Sequence, residues 1–432
     1  MSNGVINPDF VDVRQLIKEL SVEELCLAAE EFFAKRIDWE SLHAKPFAEI
    51  DETPDLLICF AQVVRGLNLL PDMTILDFGA GSCWTSRFLS QLGLKVIALD
   101  VSPSALKIGQ KLYRRHPVIG NRPKPQFMLF DGQSIDLPDH SVDRISCWEA
   151  FHHVPNPAQV IREMGRVLKA GGIAGFSEPG PDHSKSPQAQ NEMRTNRVIE
   201  NDINVRGIWS EAQKAGFTEI KLALVNPNPF LLPLEEFESY LAGDSGERYV
   251  TEMREQMQHR RVFFLFKGES TAPRDSRERE GLLAELQIEP ATNRIPAGKR
   301  LGIRAVIKNT GTSVWLPIPE TASPWWQKGF LRRFGRQPHM GPDVASPRVG
   351  GVRLGIQLLD QTGAVLDLDY FRYHLTSGDG REILPGDKVE FDAELIMPSA
   401  GKYILQCDLV SEKVCWFGDN GSPTARFNVD VA

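Results

Sequence analysis

Two adjacent histidines, His152 and His153, follow a short apolar run at Val142–Cys147. Glu149, Glu178 and His183 lie close by in the chain. Imidazole exchanges its proton near neutral pH, so a histidine at a strand end reads as a general base for a hydroxyl nucleophile. His152 is the favoured base, with Glu149, Glu178 and His183 as other candidates. His153 reads as a core histidine with a satisfied ring, and an activated carbon or an amine as nucleophile would need no strong base. A second set of residues could hold a nucleotide-like ligand. Asp77, Asp100 and Asp131 each lie at or near the end of an apolar run, and Gly79-Ala80-Gly81 follows the first of them. Asp100 stands 19 residues after Gly81, where an acid accepts hydrogen bonds from ribose hydroxyls. Asp131 is suited to accept from an exocyclic adenine amine, and Trp148 to lie against a base or line a substrate mouth.

These residues need elements to position them. Residues 72–84, DMTILDFGAGSCW, read as a buried strand, a glycine turn and a helix N-terminus with Ser82 as N-cap. Such a turn brings backbone close to a ligand at the carboxyl end of a sheet. A dinucleotide site wants a third glycine three residues after the second, and that position is Trp84, so NAD and FAD are disfavoured. From residue 55 to 266 strands and helices alternate: strands at 95–100, 126–130, 142–147, 173–177 and 217–224, and helices opened by Ser102-Pro103 and Asn156-Pro157, the latter stopped by Gly171-Gly172. The pattern predicts an α/β, doubly wound, mostly parallel sheet of the Rossmann-like kind. Two inserts, 180–206 and 226–258, leave the later strands and either could cover a substrate.

The flanks differ. Residues 1–54 carry two apolar helical stripes, with Ser21 and Glu24 spaced as a capping box, and form a helical or lid segment. The stretch from Asp38 to Phe47 is equally readable as a lid or as a packed linker. Residues 267–283 are a charged linker. In residues 284–432 the apolar period becomes two, as at Val389, Phe391, Ala393 and Leu395, and predicts an all-β antiparallel sandwich of roughly seven strands.

With 42% apolar and 25% charged residues the composition is that of a soluble globular protein, and no run is long enough to span a bilayer. The N-terminus lacks the pattern of a signal peptide. Six scattered cysteines without C-x-x-C spacing predict a reduced, cytoplasmic setting and no metal site. The net charge of −8 opposes nonspecific nucleic-acid binding.

Five motifs in order carry a resemblance over about residues 70–225. They are Leu76–Gly81, Ala98–Ser102, Asp131-Gly132 with Leu137-Pro138, Phe151–Val154 and Arg166–Gly172. Together they resemble class I methyltransferases that use S-adenosylmethionine, closest to the small-molecule group that includes quinone and sterol methylases. The resemblance implies that Gly79, Ala80 and Gly81 approach the methionine end of that cofactor, with Asp77 near its amino group. It implies that Asp100 with Val101 holds the ribose, that Asp131 with Gly132 holds the adenine amine, and that Trp148 belongs to the same site. Cys83 departs from the pattern, since many members carry a third glycine there. A looser resemblance, over residues 285–432, is to Ig-like sandwich modules. It rests on Asn309-Thr310-Gly311 with Trp315, and on Pro398–Tyr403 as a tyrosine corner. Trp325, Trp326, Phe330 and Phe334 beside Arg332, Arg333 and Arg336 suit stacking on sugars or packing between modules. The expected function is O-methylation of a sugar, glycan or glycolipid precursor in polysaccharide biosynthesis, the sandwich positioning substrate. The alternatives are methylation of a lipophilic small molecule, with a homodimer formed through the sandwich, and a cofactor-binding scaffold without turnover.

Overall fold

Five strands lie side by side and parallel, four of them rich in buried apolar residues, and the glycine turn leaves the middle one. A computed structural model describes residues 10–36, 39–120, 122–225, 231–244, 246–270, 273–318, 349–375 and 380–432. The chain separates into two compact units, Met1–Thr271 and Ala272–Ala432.

The first unit opens with four helices, α1 (Val13–Glu19), α2 (Val22–Ala34), α3 (Glu40–Ala44) and α4 (Thr53–Gly66). Then follow β1 (Thr74–Phe78), α5 (Trp84–Gln91), β2 (Lys95–Asp100), α6 (Pro103–Arg115), β3 (Gln126–Leu129), β4 (Val142–Trp148), α7 (Pro157–Val167) and β5 (Leu168–Pro179). The unit continues through α8 (Pro187–Asn196), α9 (Val205–Lys214), β6 (Glu219–Ala223), α10 (Leu234–Ala242), α11 (Glu247–Gln256) and β7 (Arg260–Lys267). Sheet order is β3-β2-β1-β4-β5-β7-β6, parallel except for β7, which runs antiparallel to both neighbours. Chain order reverses between β1 and β4, and a crevice at such a switch point is where open α/β sheets bind ligands. The two faces are closed by separate apolar cores. One gathers Leu76, Ile145, Val160, Met164 and Phe176, and the other Val63, Leu67, Ile75, Leu89 and Phe264.

Local chemistry explains most boundaries. Ser21 and Glu24 form the reciprocal capping box at α2. Ser102 caps α6 through the Ala105 N–H, ahead of Pro103. Three expectations change. The N-cap of α5 is Cys83 rather than Ser82, because one more residue, held left-handed at φ 62°, completes the turn. Asn156 sits at the N-cap of α7, but its side chain caps no helix N–H, and its amide donates to the Gly132 carbonyl at 3.0 Å instead. Gly171-Gly172 lies inside β5 rather than ending the helix. Gly171 takes φ 73° near the register shift against β4, with the Ser270 backbone 2.6 Å from where its Cβ would stand.

The second unit comprises β8 (Ala284–Pro290), β9 (Arg294–Ile295), β10 (Arg300–Asn309), β11 (Val352–Leu359) and β12 (Val365–His374). It ends with β13 (Lys388–Ile396), β14 (Gly401–Ser411), β15 (Cys415–Trp416) and β16 (Ala425–Val431). A sheet ordered β13-β10-β8 and another ordered β12-β11-β14-β16-β9 share one core of Leu301, Ile303, Trp315, Leu354, Ile356 and Leu409. Alternation is visible along β10, where Leu301, Ile303, Ala305 and Ile307 are buried. Buried Asn309 donates to the carbonyls of Ser313 and Ile383 and accepts from the Gly311 N–H. The Tyr403 hydroxyl donates to the Ser399 carbonyl at 3.0 Å. The aromatic and arginine stretch from Trp325 to Arg336 lies outside the described residues. No helix among the described residues is long and apolar enough to cross a membrane, and all six cysteines are free.

Candidate active site

Gly79 and Gly81 adopt φ 67° and 50°, conformations that a side chain disfavours, and the turn they make forms the floor of a cavity of about 470 Å³. A Cβ on Gly79 would stand 2.3 Å from Ala150. The Ala80 N–H bonds back to the Leu99 carbonyl, and the Gly81 N–H donates to Asp100 Oδ2 at 2.7 Å. Asp100 also accepts from the Ser102 N–H at 2.8 Å, so its carboxylate is fixed at the end of β2 facing the cavity, with Val101 beside it. Burial raises its pKa to about 6 against the pull of those two N–H donors, and the charges of Asp77 and Glu30 add to the rise.

Cys83 occupies the position where a third glycine was expected. Its left-handed backbone shows why glycine suits the site, and the fold makes room by another route. Gly109 of α6 faces it, and a Cβ there would stand 2.3 Å from the Cys83 sulfur. Trp84 packs with Phe60, Phe88 and Trp148 in an aromatic wall.

Two expected cofactor residues are placed differently. Asp77 is buried beneath the turn and does not line the cavity. Its carboxylate takes hydroxyl donors from Thr85, Ser86 and Ser146 at 2.8, 2.5 and 2.9 Å, which satisfies it without a ligand. Asp131 is exposed at the rim, and its oxygens accept from the backbone of Gln133 and Ser134 and from the Ser134 hydroxyl. Its neighbours Phe130 and Gly132 line the cavity in its place.

The roof comes from elements that showed no motif. Leu25, Ala29, Phe32 and Phe33 of α2 and Leu42 of α3 face the floor, and Phe33 comes within 3.7 Å of where a Cβ on Gly81 would stand. Glu30 fastens α2 to the N-terminus of α6. The insert 180–206 completes the wall with Gln188, Glu192, Val198 and Glu200. Its helix α8 packs on α1 and α2 through Met193, Ile199, Val13, Leu16 and Leu25. The described residues of the insert 226–258 contribute no lining residue, and α10 buries no side chain.

At one end of the cavity the histidines converge. Glu178, fully buried on β5, accepts from the N–H groups of Ala150 and Phe151 and so holds the turn after β4. It also bonds His152 Nδ1 at 2.7 Å. His152 Nε2 lies 3.4 Å from Glu200, and Glu200 takes His183 Nε2 at 2.7 Å. Burial alone would depress the His152 pKa, but the bonds and charges of Glu178 and Glu200 outweigh it and raise it to about 9. With a carboxylate at each nitrogen, the protonated form of His152 is favoured in the absence of any further ligand, whereas a free base was expected of it. His153 behaves oppositely. Burial and the neighbouring His152 charge lower it to about 4. Its Nδ1 bonds the Ile199 carbonyl at 2.7 Å, and its side chain stays 37% exposed toward the cavity. Glu200 would be raised by burial, yet hydrogen bonds from His152 and His183 bring it down to about 2. Glu149, with φ 49°, is engaged by Arg260 at the cavity edge. Trp148 Nε1 and Asn156 Oδ1 are buried without a protein partner among the described residues and belong to cavity-lining side chains.

Glu200 escaped the reading of the sequence because its insert has no period. The one signal is that buried histidines require an acidic or carbonyl partner.

A chain turn at a switch point, a strand-end acid and an acid–histidine cluster thus surround one cavity of a Rossmann-like sheet. Residues 76–176 match the family model described as "Methyltransferase domain". The chain is 32% identical over 120 residues to a demethylmenaquinone methyltransferase of Renibacterium salmoninarum, covering 27% of this chain and 47% of that protein. It is 31% identical over 133 residues to a ubiquinone biosynthesis O-methyltransferase of Nitrosomonas europaea, covering 31% and 53%. A thiol S-methyltransferase TMT1B of Rattus norvegicus is 28% identical over 180 residues, covering 40% and 70%. The chain thus spans about half the length of the first two relatives. Among solved structures, an S-adenosylmethionine-dependent methyltransferase from Mesorhizobium loti aligns with a TM-score of 0.38 at 16% identity, over 49% of this chain and 99% of that one. Residues 76–176 are therefore similar to a methyltransferase domain.

The expected cofactor, S-adenosylmethionine, fits the residues present. The glycine cradle leaves space that a Cβ would fill, the Asp100 carboxylate faces the cavity, and Trp148 offers an unused donor.

Proposed function

We propose that the protein is an S-adenosylmethionine-dependent methyltransferase acting on an oxygen or sulfur atom of a small, largely apolar acceptor. The observation that carries this reading is the cavity itself. Its floor is the Gly79–Gly81 cradle, its walls include Phe32, Phe33, Leu56, Trp84 and Val198, and the histidine cluster lies along it. Bound there, the sulfonium supplies an already activated methyl group, so the protein's task is alignment and exclusion of water. The backbone of Gly79, Ala80 and Gly81 holds the methionine end. Asp100 accepts from the ribose hydroxyls, and Phe130 with Gly132 flanks the base. The aromatic wall of Trp84 and Trp148 and the roof from α2 keep the reacting atoms dry. His152, His153, His183 and Glu200 orient the nucleophilic end of the acceptor.

Apolar walls favour a lipophilic acceptor over the sugar or glycan expected from the sequence. Relatives named for quinone and thiol methylation point the same way. The Ig-like reading of the second unit is kept as a positioning or dimer-forming module. Transfer of labelled methyl from S-adenosylmethionine to a panel of quinols, phenols, alkyl thiols and sugars tests the assignment. Labelled phenolic or thiol products support it, and exclusive labelling of sugars would replace it.

A further inference from the structure

His152, His153 and Glu200 each offer one ligand atom within 4.8 Å of the other two, inside the cavity and next to the floor where the methyl donor is expected. His152 and Glu200 are buried, and His153 is half-buried. We propose that this cluster is a divalent-cation site, of the two-histidine, one-carboxylate kind that takes zinc, and that the ion holds the acceptor's heteroatom.

The geometry of the surrounding groups is what distinguishes the cluster from a simple ion pair. His152 Nε2 and Glu200 Oε2 are 3.4 Å apart, a long and therefore weak hydrogen bond. Two ligands at about 2.0–2.1 Å on a tetrahedral ion are separated by roughly that much. The far nitrogen of His152 is fixed by a fully buried carboxylate, Glu178 at 2.7 Å. On His153 the Ile199 carbonyl holds Nδ1 at 2.7 Å, and that nitrogen also stands 3.8 Å from Glu200. Glu200 is steadied in turn by His183 at 2.7 Å. A carboxylate or carbonyl behind each ligating imidazole, and a hydrogen bond on the ligating carboxylate, are the outer contacts that metal-bound histidines and carboxylates carry. Three protein ligands leave a fourth position open for a substrate. Glu200 arrives from the insert after β5, so the three ligands have no telltale spacing along the chain.

The site fits the reaction. An acceptor hydroxyl or thiol on the ion loses its proton to solvent. Its lone pair then forms the bond to the methyl carbon as the carbon–sulfur pair returns to sulfur. The inference rests on the methyltransferase reading, and its test separates the two.

The full-length protein, stripped with a chelator, is titrated with Zn²⁺ by calorimetry and with Co²⁺ by visible absorption. S-adenosylmethionine binding is measured on the same sample. One equivalent of metal per chain, with the strong bands of four-coordinate cobalt, is expected. Glu200→Gln and His153→Ala should lose the bands, and Glu178→Gln should weaken binding by about 10- to 100-fold while circular dichroism stays unchanged. Cofactor binding without metal uptake overturns the cation site alone. Metal uptake that survives both ligand variants places the ion elsewhere and overturns it as well. Loss of cofactor binding in folded protein overturns the reading beneath it.

Discussion

Glu30 of α2 accepts hydrogen bonds from both the backbone N–H and the hydroxyl of Ser104, at 2.9 and 2.6 Å, and so ties the roof of the cavity to the first turn of α6. Ser102, two residues past Asp100, donates to the same carboxylate. An acid on a helix N-terminus is also favoured by the helix dipole. Those hydrogen bonds lower the Glu30 pKa despite some burial, so the carboxylate form is the one held. Glu30→Ala should cost about 1–3 kcal/mol in urea unfolding, as expected for hydrogen bonds to a charged group. It should also weaken cofactor binding, and unchanged values for both would show that α2 does not depend on this contact.

Cys83 and Gly109 form a matched pair across α5 and α6. Gly109→Ala should destabilise by about 1–3 kcal/mol, because the added Cβ meets the Cys83 sulfur in a packed interior. Cys83→Gly removes the obstruction and suits φ 62°, so the double variant should recover most of the loss. A double-mutant cycle with coupling above about 0.5 kcal/mol is expected. Strict additivity would mean that the two sites do not touch.

Asp100 makes cofactor binding depend on pH. Its folded pKa, raised to about 6 by burial, exceeds the ordinary value of 3.8. Between those values the folded protein keeps a proton that the unfolded chain releases. This group therefore lowers the stability of the cofactor-free protein as pH rises from about 4 to about 6. The carboxylate, which is the better acceptor for ribose hydroxyls, forms in the folded protein around pH 6. Affinity for S-adenosylmethionine should rise through pH 6 and level off above it. Asp100→Asn should flatten that profile, and a step that persists in the variant would assign it to another group.

In the second unit Asn309 satisfies three backbone groups from a fully buried position. Asn309→Ala should lower stability by about 1–3 kcal/mol per the cost of stranded buried polar groups. The Tyr403→Phe change removes one partly exposed hydrogen bond and should cost less. Denaturant midpoints of the full chain check the order.

Elements with a strong period were legible in advance. The alternation of buried strands with helices such as α6 and α7 named the sheet, and period-two stretches such as β13 named the sandwich. Strand-end residues were legible only as positions. Asp100 faces the cavity, whereas Asp77 and Asp131 are satisfied by hydroxyls and turn N–H groups that no spacing reveals. Residue type failed to distinguish His152 from His153, because their difference lies in Glu178, Glu200 and the Ile199 carbonyl, all distant in sequence. The N-terminal helices and the insert 180–206 were legible as possible covers, but not the side chains they bring, since Phe33 and Val198 line the cavity only through packing distant in sequence.

Calorimetric titration of the full-length protein with S-adenosylmethionine at pH 7.5, beside Asp100→Ala, tests the central claim most directly. The account predicts one site per chain and at least a tenfold loss of affinity in the variant, about 1.4 kcal/mol. Folded protein that binds no S-adenosylmethionine, or a variant that binds it equally well, would contradict it.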